Sequence, residues 1–406
     1  MDTVTKTQNR KAALTAFKTT ALLSSTEVAN ATGLSRSTAH RAIEFLRKKN
    51  LVLVSGKRSS NDASGKKPLL LCLNANYRYV LCFQIQIAGL SAGITDLKGR
   101  ILAETSIAFQ PDTTLPVVLS HMETMYAELR AQLNLADKDF AGMAVGCNGV
   151  VDSEKGIIVS SPNFPSWGNQ VPLVNQLRER FMHIPYIYID NSNRFAAYAE
   201  YCAGQAKGIP NFLVIDGHYD GFGGGLVVEG SLWRGRQSLA GEIGHLPVDA
   251  TGSHACACGA RGCLEATASM KALEEAARAG AAKNGNSLLF SQAPASELNY
   301  KKVLAAANSG DKYAQSLVSD QAKWLAMGMN SIALLFAPDL IILQGNFKEG
   351  GAFLLQSVRK HIEKLGLPRI ADKVEVVYSH LGSDRCLIGQ AHFIADAYFD
   401  NSEIYQ

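Results

Sequence analysis

Two periods of hydrophobic residues divide the chain into a short helical module and a longer mixed body. Between Lys11 and Ala21 the apolar residues fall largely on one helical stripe, and two further short helical segments follow. The apolar runs Leu51–Val54 and Leu69–Leu73 are typical of strands and bracket a polar segment rich in Gly and Ser. From Tyr79 onward, strand-like runs alternate with helical stretches, which predicts an α/β protein.

The body contains enough elements for two lobes. Strands are predicted at Tyr79–Ile87, Leu90–Asp96, Ile101–Phe109, Ala141–Gly146, Tyr186–Ile189, Phe212–Asp216, Gly224–Val228, Leu340–Leu343 and Lys373–Tyr378, and helices at Leu115–Leu133, Pro172–Arg180, Asn193–Ala203, Ser269–Ala282 and Asp311–Phe336. We expect a module at 1–73, a first lobe at 74–195 and a second lobe at 196–406, with a C-terminal helix that could return to the first lobe. A small ligand is expected in the cleft between lobes.

The N-terminal module has the order of a winged helix-turn-helix. A Ser or Thr cap opens the second helix, Gly33 can end it, and the third helix carries short polar groups and cations that could reach base edges, namely Ser35, Arg36, Ser37, Thr38, His40 and Arg41. The polar segment between the two strands has the composition of a wing and offers Lys57, Arg58, Lys66 and Lys67 to the DNA backbone or minor groove.

Charge strengthens this interpretation. Residues 1–70 carry thirteen Lys or Arg against four Asp or Glu, a balance of +9, whereas the whole chain carries +4, so the remainder is acidic. This asymmetry predicts that the module binds double-stranded DNA. A basic solvated face, or a helical bundle that contacts another protein, is the alternative.

Composition is that of a soluble globular protein, with 47% hydrophobic and 19% charged residues. The sequence has neither a secretory signal nor an apolar run of about 18 residues, so we expect a cytoplasmic protein without a membrane span. In that reducing compartment, a cluster of cysteines suggests a metal before a disulfide.

One short segment carries a complete set of metal ligands. His245, Cys256, Cys258 and Cys263 could hold Zn²⁺ tetrahedrally with no position left for water, which predicts a structural zinc site. His254 could replace His245 as the fourth ligand, and a redox pair or plain buried thiols are the alternatives to a metal.

The same segment resembles the signature of the ROK family of repressors, open reading frames and sugar kinases. Glu242-Ile243-Gly244-His245 precedes a Cys-x-Cys-Gly-x-x-Gly-Cys-Leu-Glu run, SPNFPSWGNQVPL looks like the family's sugar loop, and DGFGGGLVVEG looks like its second glycine-rich phosphate loop. The winged module ahead of the body is similar to the repressor branch, such as the glucose- and N-acetylglucosamine-responsive repressors. The resemblance implies a two-lobed, actin-like, commonly dimeric fold in which Asn163, Asn191, Glu242, His245 and Glu265 bind sugar.

The signatures of kinase chemistry are altered. The Asp-x-Gly-Gly-Thr phosphate loop of the family aligns with Gln84-Ile85-Gln86-Ile87-Ala88, and the catalytic Asn-Asp pair aligns with Asn191-Ser192, although Asp190 lies one register away. Serine cannot take a hydroxyl proton at neutral pH without a base of its own. We therefore expect a regulator and not an enzyme. It is predicted to be a repressor that binds a double-stranded DNA operator and a sugar or sugar-phosphate effector as a homodimer or homotetramer. A sugar kinase, or a regulator controlled by a protein partner, is the alternative.

Overall fold

The computed structural model describes residues 3–57, 68–110, 112–292, 294–365 and 374–406. These residues form two compact units. The first takes in the described residues up to Asn148, together with Lys155–Ile189 and Gln390–Gln406, and the second takes in Gly149–Glu154 and the described part of Asp190–Gly389. The three-domain division drawn from the sequence stays a prediction.

The first unit begins with three helices and a hairpin. Their bounds are α1 Thr3–Thr19, α2 Ser25–Thr32, α3 Arg36–Lys48, β1 Val52–Lys57 and β2 Leu69–Leu73, with β1 antiparallel to β2. Leu14, Phe17, Ile43 and Leu46 are almost fully buried and form the core of this module. Helix α1 begins well before Lys11. The hydrophobic pattern did not predict these first turns because they lack an apolar stripe.

The body continues with β3 Tyr79–Gln86, β4 Gly89–Asp96, β5 Ile101–Ala108, α4 Leu115–Gln132, β6 Phe140–Cys147, β7 Val150–Asp152, β8 Ile157–Ser160, α5 Leu173–Arg180 and β9 Ile187–Asn191. It then runs through α6 Ser192–Ala203, β10 Phe212–Gly217, β11 Phe222–Val228, β12 Ser231–Leu232, α7 Leu264–Ala268, α8 Met270–Ala279, α9 Leu288–Gln292, α10 Tyr300–Asn308, α11 Lys312–Phe336, β13 Leu340–Gly345, α12 Gly351–Leu365, β14 Glu375–Tyr378 and α13 Arg385–Asp400.

Each unit contains a five-stranded sheet with the same topology. The first sheet has the order β5-β4-β3-β6-β9 and the second has the order β12-β11-β10-β13-β14. In both, an antiparallel meander of three strands is followed by a strand that pairs in parallel with the first strand of the meander. The body is therefore built from two copies of one α/β arrangement.

The second sheet is buried on both faces. Phe212 and Val214 of β10 pack with Ala197 of α6. Leu213 and Ile215 point to the opposite face and join a larger core that includes helices α7 to α12. This alternation follows from the two-residue period of a strand, and it explains why β10 reads as a continuous apolar run. No helix in the described ranges combines the length and apolar character required to cross a bilayer.

Candidate functional site

Helix α3 presents a polar face to solvent. Ser35, Arg36, Ser37, His40 and Arg41 are exposed, and Thr38 is half-buried. The opposite face is buried through the residues Ala39, Ala42, Ile43 and Leu46. The six residues of this segment that are predicted to contact DNA therefore lie at the N-cap and in the N-terminal half of one accessible helix.

The turn before α3 is built by local hydrogen bonds. Ser24 caps α2 by accepting a bond from the backbone N–H of Glu27, whose carboxylate accepts in return from the backbone N–H of Ser24. Gly33 has a φ of 69°, a left-handed conformation that ends α2, and Ser35 then caps α3 by accepting from the N–H of Thr38. These caps fix the entry of α3.

The hairpin exposes the first of the predicted wing cations. Lys57, the last residue of β1, is exposed. Arg58, Lys66 and Lys67 lie outside the described residues. Strand β1 extends beyond the predicted Val54 to Lys57, and a β-bulge between Val54 and Gly56 interrupts its register with β2.

Four ligand atoms converge in the second unit. The side chains of His245, Cys256, Cys258 and Cys263 place their ligand atoms within 4.8 Å of one another. The Sγ atoms of Cys258 and Cys263 are 3.8 Å apart, and His245 Nδ1 is 3.7 Å from Cys256 Sγ. Tetrahedral zinc with bonds of about 2.3 Å to sulfur places two sulfurs about 3.8 Å apart, so the donor set fits this ion.

The loop that carries these cysteines is organised by Asp249. Its carboxylate accepts hydrogen bonds from the hydroxyls of Thr251 and Ser253, each at 2.6 Å, and lies 3.0 Å from Nδ1 of His254. These bonds hold the pKa of Asp249 well below its usual range. His254 is thus engaged by Asp249 and stands apart from the four-ligand cluster, so the cluster contains His245, the first of the two predicted histidines.

Glu265 joins the cluster to the second set of predicted residues. Its Oε1 lies 3.3 Å from His245 Nδ1 and 3.0 Å from Cys256 Sγ. Glu242 begins the short turn that ends at His245 and is exposed at the surface, and partial desolvation of its carboxyl group by the surrounding protein raises the pKa. Two carboxylates and one imidazole therefore lie within one short stretch of the second unit.

The two predicted asparagines occupy different environments. Asn191 caps α6 through a bond from the N–H of Asn193, and its amide donates to the carbonyl of Gly149 at 2.9 Å. Asn163 is exposed in the first unit, next to Phe164. The ring of Phe164 stacks on Trp167 at 4.2 Å, and this aromatic pair supports the loop that carries Asn163.

Asp190, the residue one register away from the aligned catalytic position, is fully buried in an ion triad. It pairs with Arg194 at 2.7 Å and with Arg234 at 2.9 Å. The hydroxyl of Ser192 is buried and has no hydrogen-bond partner among the described residues. Sequence reasoning missed Arg194 and Arg234, although the spacing of Arg194 four residues after Asp190 is a signal for such a pair.

The two stretches compared with phosphate loops have ordinary structural roles. Gln86 pairs with Gly89 across a tight hairpin between β3 and β4, and Ile87 is exposed at its tip. In β11, a Cβ on Gly223 would lie 1.8 Å from the amide of Asn193, and one on Gly225 would lie 2.5 Å from Ala197 Cβ. These glycines are required for close packing of α6 on the strand.

The sequence is similar to known repressors and sugar kinases. A sequence model described as ROK family matches residues 83–397. The chain is 25% identical over 401 residues to the xylose repressor of Bacillus spizizenii, which covers 98% of this chain and 97% of that protein. It is 33% identical over 252 residues to a glucokinase of Halalkalibacterium halodurans, which covers 62% of this chain and 75% of the enzyme.

A solved structure gives the same picture for the fold. A ROK family transcriptional regulator, described as a homolog of the E. coli MLC protein, has a TM-score of 0.80 at 22% identity and covers 98% of this chain and 97% of its own. The predicted fold class, an α/β body of two actin-like lobes behind a winged helix-turn-helix, is confirmed.

Proposed function

Because this chain belongs to the ROK family, as the sequence motifs predicted, we propose that it is a sugar-responsive DNA-binding repressor of carbohydrate metabolism genes. The observation that carries the proposal is the extent of the likeness. Similarity to a xylose repressor runs over 98% of the chain, including the winged module, whereas similarity to the glucokinase covers 62%. Such a repressor would act in the cytoplasm as a homodimer or homotetramer.

The exposed face of α3 supports the DNA-binding part. Short hydroxyl side chains and the guanidinium groups of Arg36 and Arg41 are suited to base edges and phosphates in the major groove. We assign the wing cations Lys57, Arg58, Lys66 and Lys67 to contacts with the DNA backbone. A two-fold dimer would present two such modules to a palindromic operator.

The acceptors of the second unit support the sugar-binding part. Carboxylates such as Glu242 and Glu265 can each accept bonds from neighbouring sugar hydroxyls, and Asn191 can add an amide contact. His245 directs Nδ1 toward the cysteines, so its Nε2 is the nitrogen that could meet a sugar hydroxyl. Metal ligation through Nδ1 would fix the tautomer and orientation of this ring.

We assign the four-ligand cluster to a structural Zn²⁺. When bound, the ion would supply a closed tetrahedral crosslink without an open position for catalysis. Its effect would be to tie His245 to the loop of residues 256–263 and so to fix the side of the sugar pocket that His245 forms.

The surroundings of Asp190 argue against the kinase alternative. Both carboxylate oxygens of Asp190 already accept from an arginine, Oδ1 from Arg194 and Oδ2 from Arg234, so they are not directed at a substrate hydroxyl. Ser192 cannot act as a base at neutral pH.

A two-part experiment tests the proposal. Duplexes selected from random DNA by the purified protein are titrated by fluorescence anisotropy, alone and with D-xylose, D-glucose, N-acetyl-D-glucosamine or their phosphates. We expect salt-sensitive binding that one of these compounds changes. A coupled assay for ATP consumption with the same sugars is the second part. Robust sugar-dependent turnover, or no salt-sensitive affinity for any duplex, would overturn the proposal, and DNA binding that no sugar alters would favour control by a protein partner.

A further inference from the structure

The loop before the Glu242–His245 turn has an unfavourable backbone. Gln237 and Ser238 both have positive φ, at 55° and 57°, although neither is glycine. Residues with side chains adopt this left-handed region at a cost, and they keep it only where surrounding contacts impose it. Two such residues in succession therefore indicate that contacts with the surrounding protein impose the backbone conformation of this loop.

Arg194 makes the contacts that hold it. Its side chain is only 4% exposed, and one guanidinium nitrogen, Nη2, donates to the carbonyls of both Ser238 and Ala240. Ser238 also lies within 3.4 Å of the hydroxyl of Ser153. A planar guanidinium can bridge two carbonyls and a carboxylate in a fixed geometry, which a lysine cannot do.

Asp190 orients this arginine. Its Oδ1 accepts from Arg194 Nη1 at 2.7 Å and from the backbone N–H of Asn191 at 2.8 Å, whereas its Oδ2 accepts from Arg234 Nε at 2.9 Å. Arg234 lies at the start of the same loop. The triad therefore fastens the loop at its beginning, through Arg234, and in its middle, through Ser238 and Ala240.

We propose that Arg194 is the positioning residue for the Glu242–His245 turn, and that Asp190 serves to orient Arg194. The contacts of Arg194 end at Ala240, and Gly241, with a φ of 99°, is the single residue between them and Glu242. An error in the conformation of the loop would therefore pass directly to the carboxylate of Glu242. The role of Glu242 as a sugar ligand rests on the proposed function, but the ordering of the loop by Arg194 does not.

Hydrogen exchange of the full-length protein, without sugar, tests the ordering. In Arg194→Ala we expect amides of residues 236–245 to exchange at least about tenfold faster than in the wild type. Arg278→Ala is the control for the type of contact, because Arg278 also pairs with a carboxylate four residues away, Glu274 at 2.6 Å, and donates to a carbonyl, that of Leu298 at 2.7 Å; its side chain is more exposed than that of Arg194. Unchanged exchange at 236–245, or an equal rise in Arg278→Ala, would overturn the inference.

Sugar binding provides the second readout. Calorimetry with D-xylose and D-glucose should give a dissociation constant at least about tenfold higher for Arg194→Ala than for the wild type, partly restored by ethylguanidinium. Rescue by the missing group would distinguish positioning from general destabilisation. Asp190→Asn should give a smaller loss. If the wild type binds neither sugar but the exchange result holds, the proposed function fails for these sugars and the ordering role stands; if the wild type binds and Arg194→Ala binds equally, the positioning role fails.

Discussion

Replacement of Arg36 by alanine is the sharpest test of the DNA-reading face. Arg36 is the first residue of α3, its side chain is exposed, and no carboxylate among the described residues pairs with it. The N-terminal residues of a recognition helix are those that reach base edges, and a guanidinium is the usual partner of guanine. We therefore predict a base contact.

The expected magnitude follows from the number of half-sites. One base-reading arginine accounts for about 1–3 kcal/mol. A dimer on a palindrome uses it twice, so Arg36→Ala should cost about 2–6 kcal/mol, at least a ~30-fold loss of affinity for the selected operator. Because the side chain is exposed, the free energy of unfolding should change by no more than about 0.5 kcal/mol.

The assay compares selected and random duplexes by anisotropy at fixed salt. Arg47→Ala is the matched control on the same helix, because Arg47 lies near its C-terminal end and already pairs with Glu44 at 2.6 Å. We expect a large loss on the selected duplex for Arg36→Ala and a small one for Arg47→Ala. Equal losses for Arg36→Ala on both kinds of DNA would show a phosphate contact instead, and equal losses for the two variants would refute the assignment of the face.

Three further predictions concern the body. Removal of zinc by a chelator, or Cys258→Ser, should lower the thermal midpoint by at least about 4 °C, measured by scanning calorimetry alongside metal content. Gly262→Ala should also lose zinc, because Gly262 has a φ of 79° and a Cβ there would lie 2.2 Å from the carbonyl of Asp249. The hydrogen bond from Tyr126 lowers the pKa of Asp137. The stabilisation that this bond gives the folded protein is therefore present above the unfolded pKa of about 3.9 and is lost as the pH falls through the folded pKa. Tyr126→Phe should lower the free energy of unfolding more at pH 7 than at pH 3, measured by urea titration.

Local patterns predicted the elements whose residues obey one period. Strand β10 was predicted at Phe212–Asp216 and runs from Phe212 to Gly217, since an apolar run bounded by polar residues specifies a buried strand. The convergence of His245 with the three cysteines could be predicted for a similar reason, because the cysteines lie within eight positions of one another and a short turn carries His245. That the cluster holds Zn²⁺ stays a prediction.

Contacts between distant residues were beyond such patterns. The sequence predicted a C-terminal helix but not its bounds or its contacts, which the structure gives as α13: Arg385 pairs with Asp216, and Asp396 pairs with Lys18 of α1. The contacts of α1 with the end of the chain were equally beyond the sequence pattern, since Arg10 donates to the carbonyl of Tyr405 and Lys11 pairs with Asp400. From the sequence alone, a lysine or arginine at these positions is predicted to be a solvated surface cation, because its partner is distant in the chain.

The glycines of β11 show why a retained motif is weak support for nucleotide binding in this chain. Gly223 and Gly225 are closed off by Asn193 and Ala197 of α6, and a Cβ on Gly224 would lie 2.7 Å from Ile243. Ile243 belongs to the same turn as Glu242 and His245, so the glycine run is what allows α6 and this turn to pack against one strand. Side chains at these positions would displace the proposed sugar ligands whether or not a phosphate ever binds. The packing requirement alone is therefore sufficient to keep the glycines.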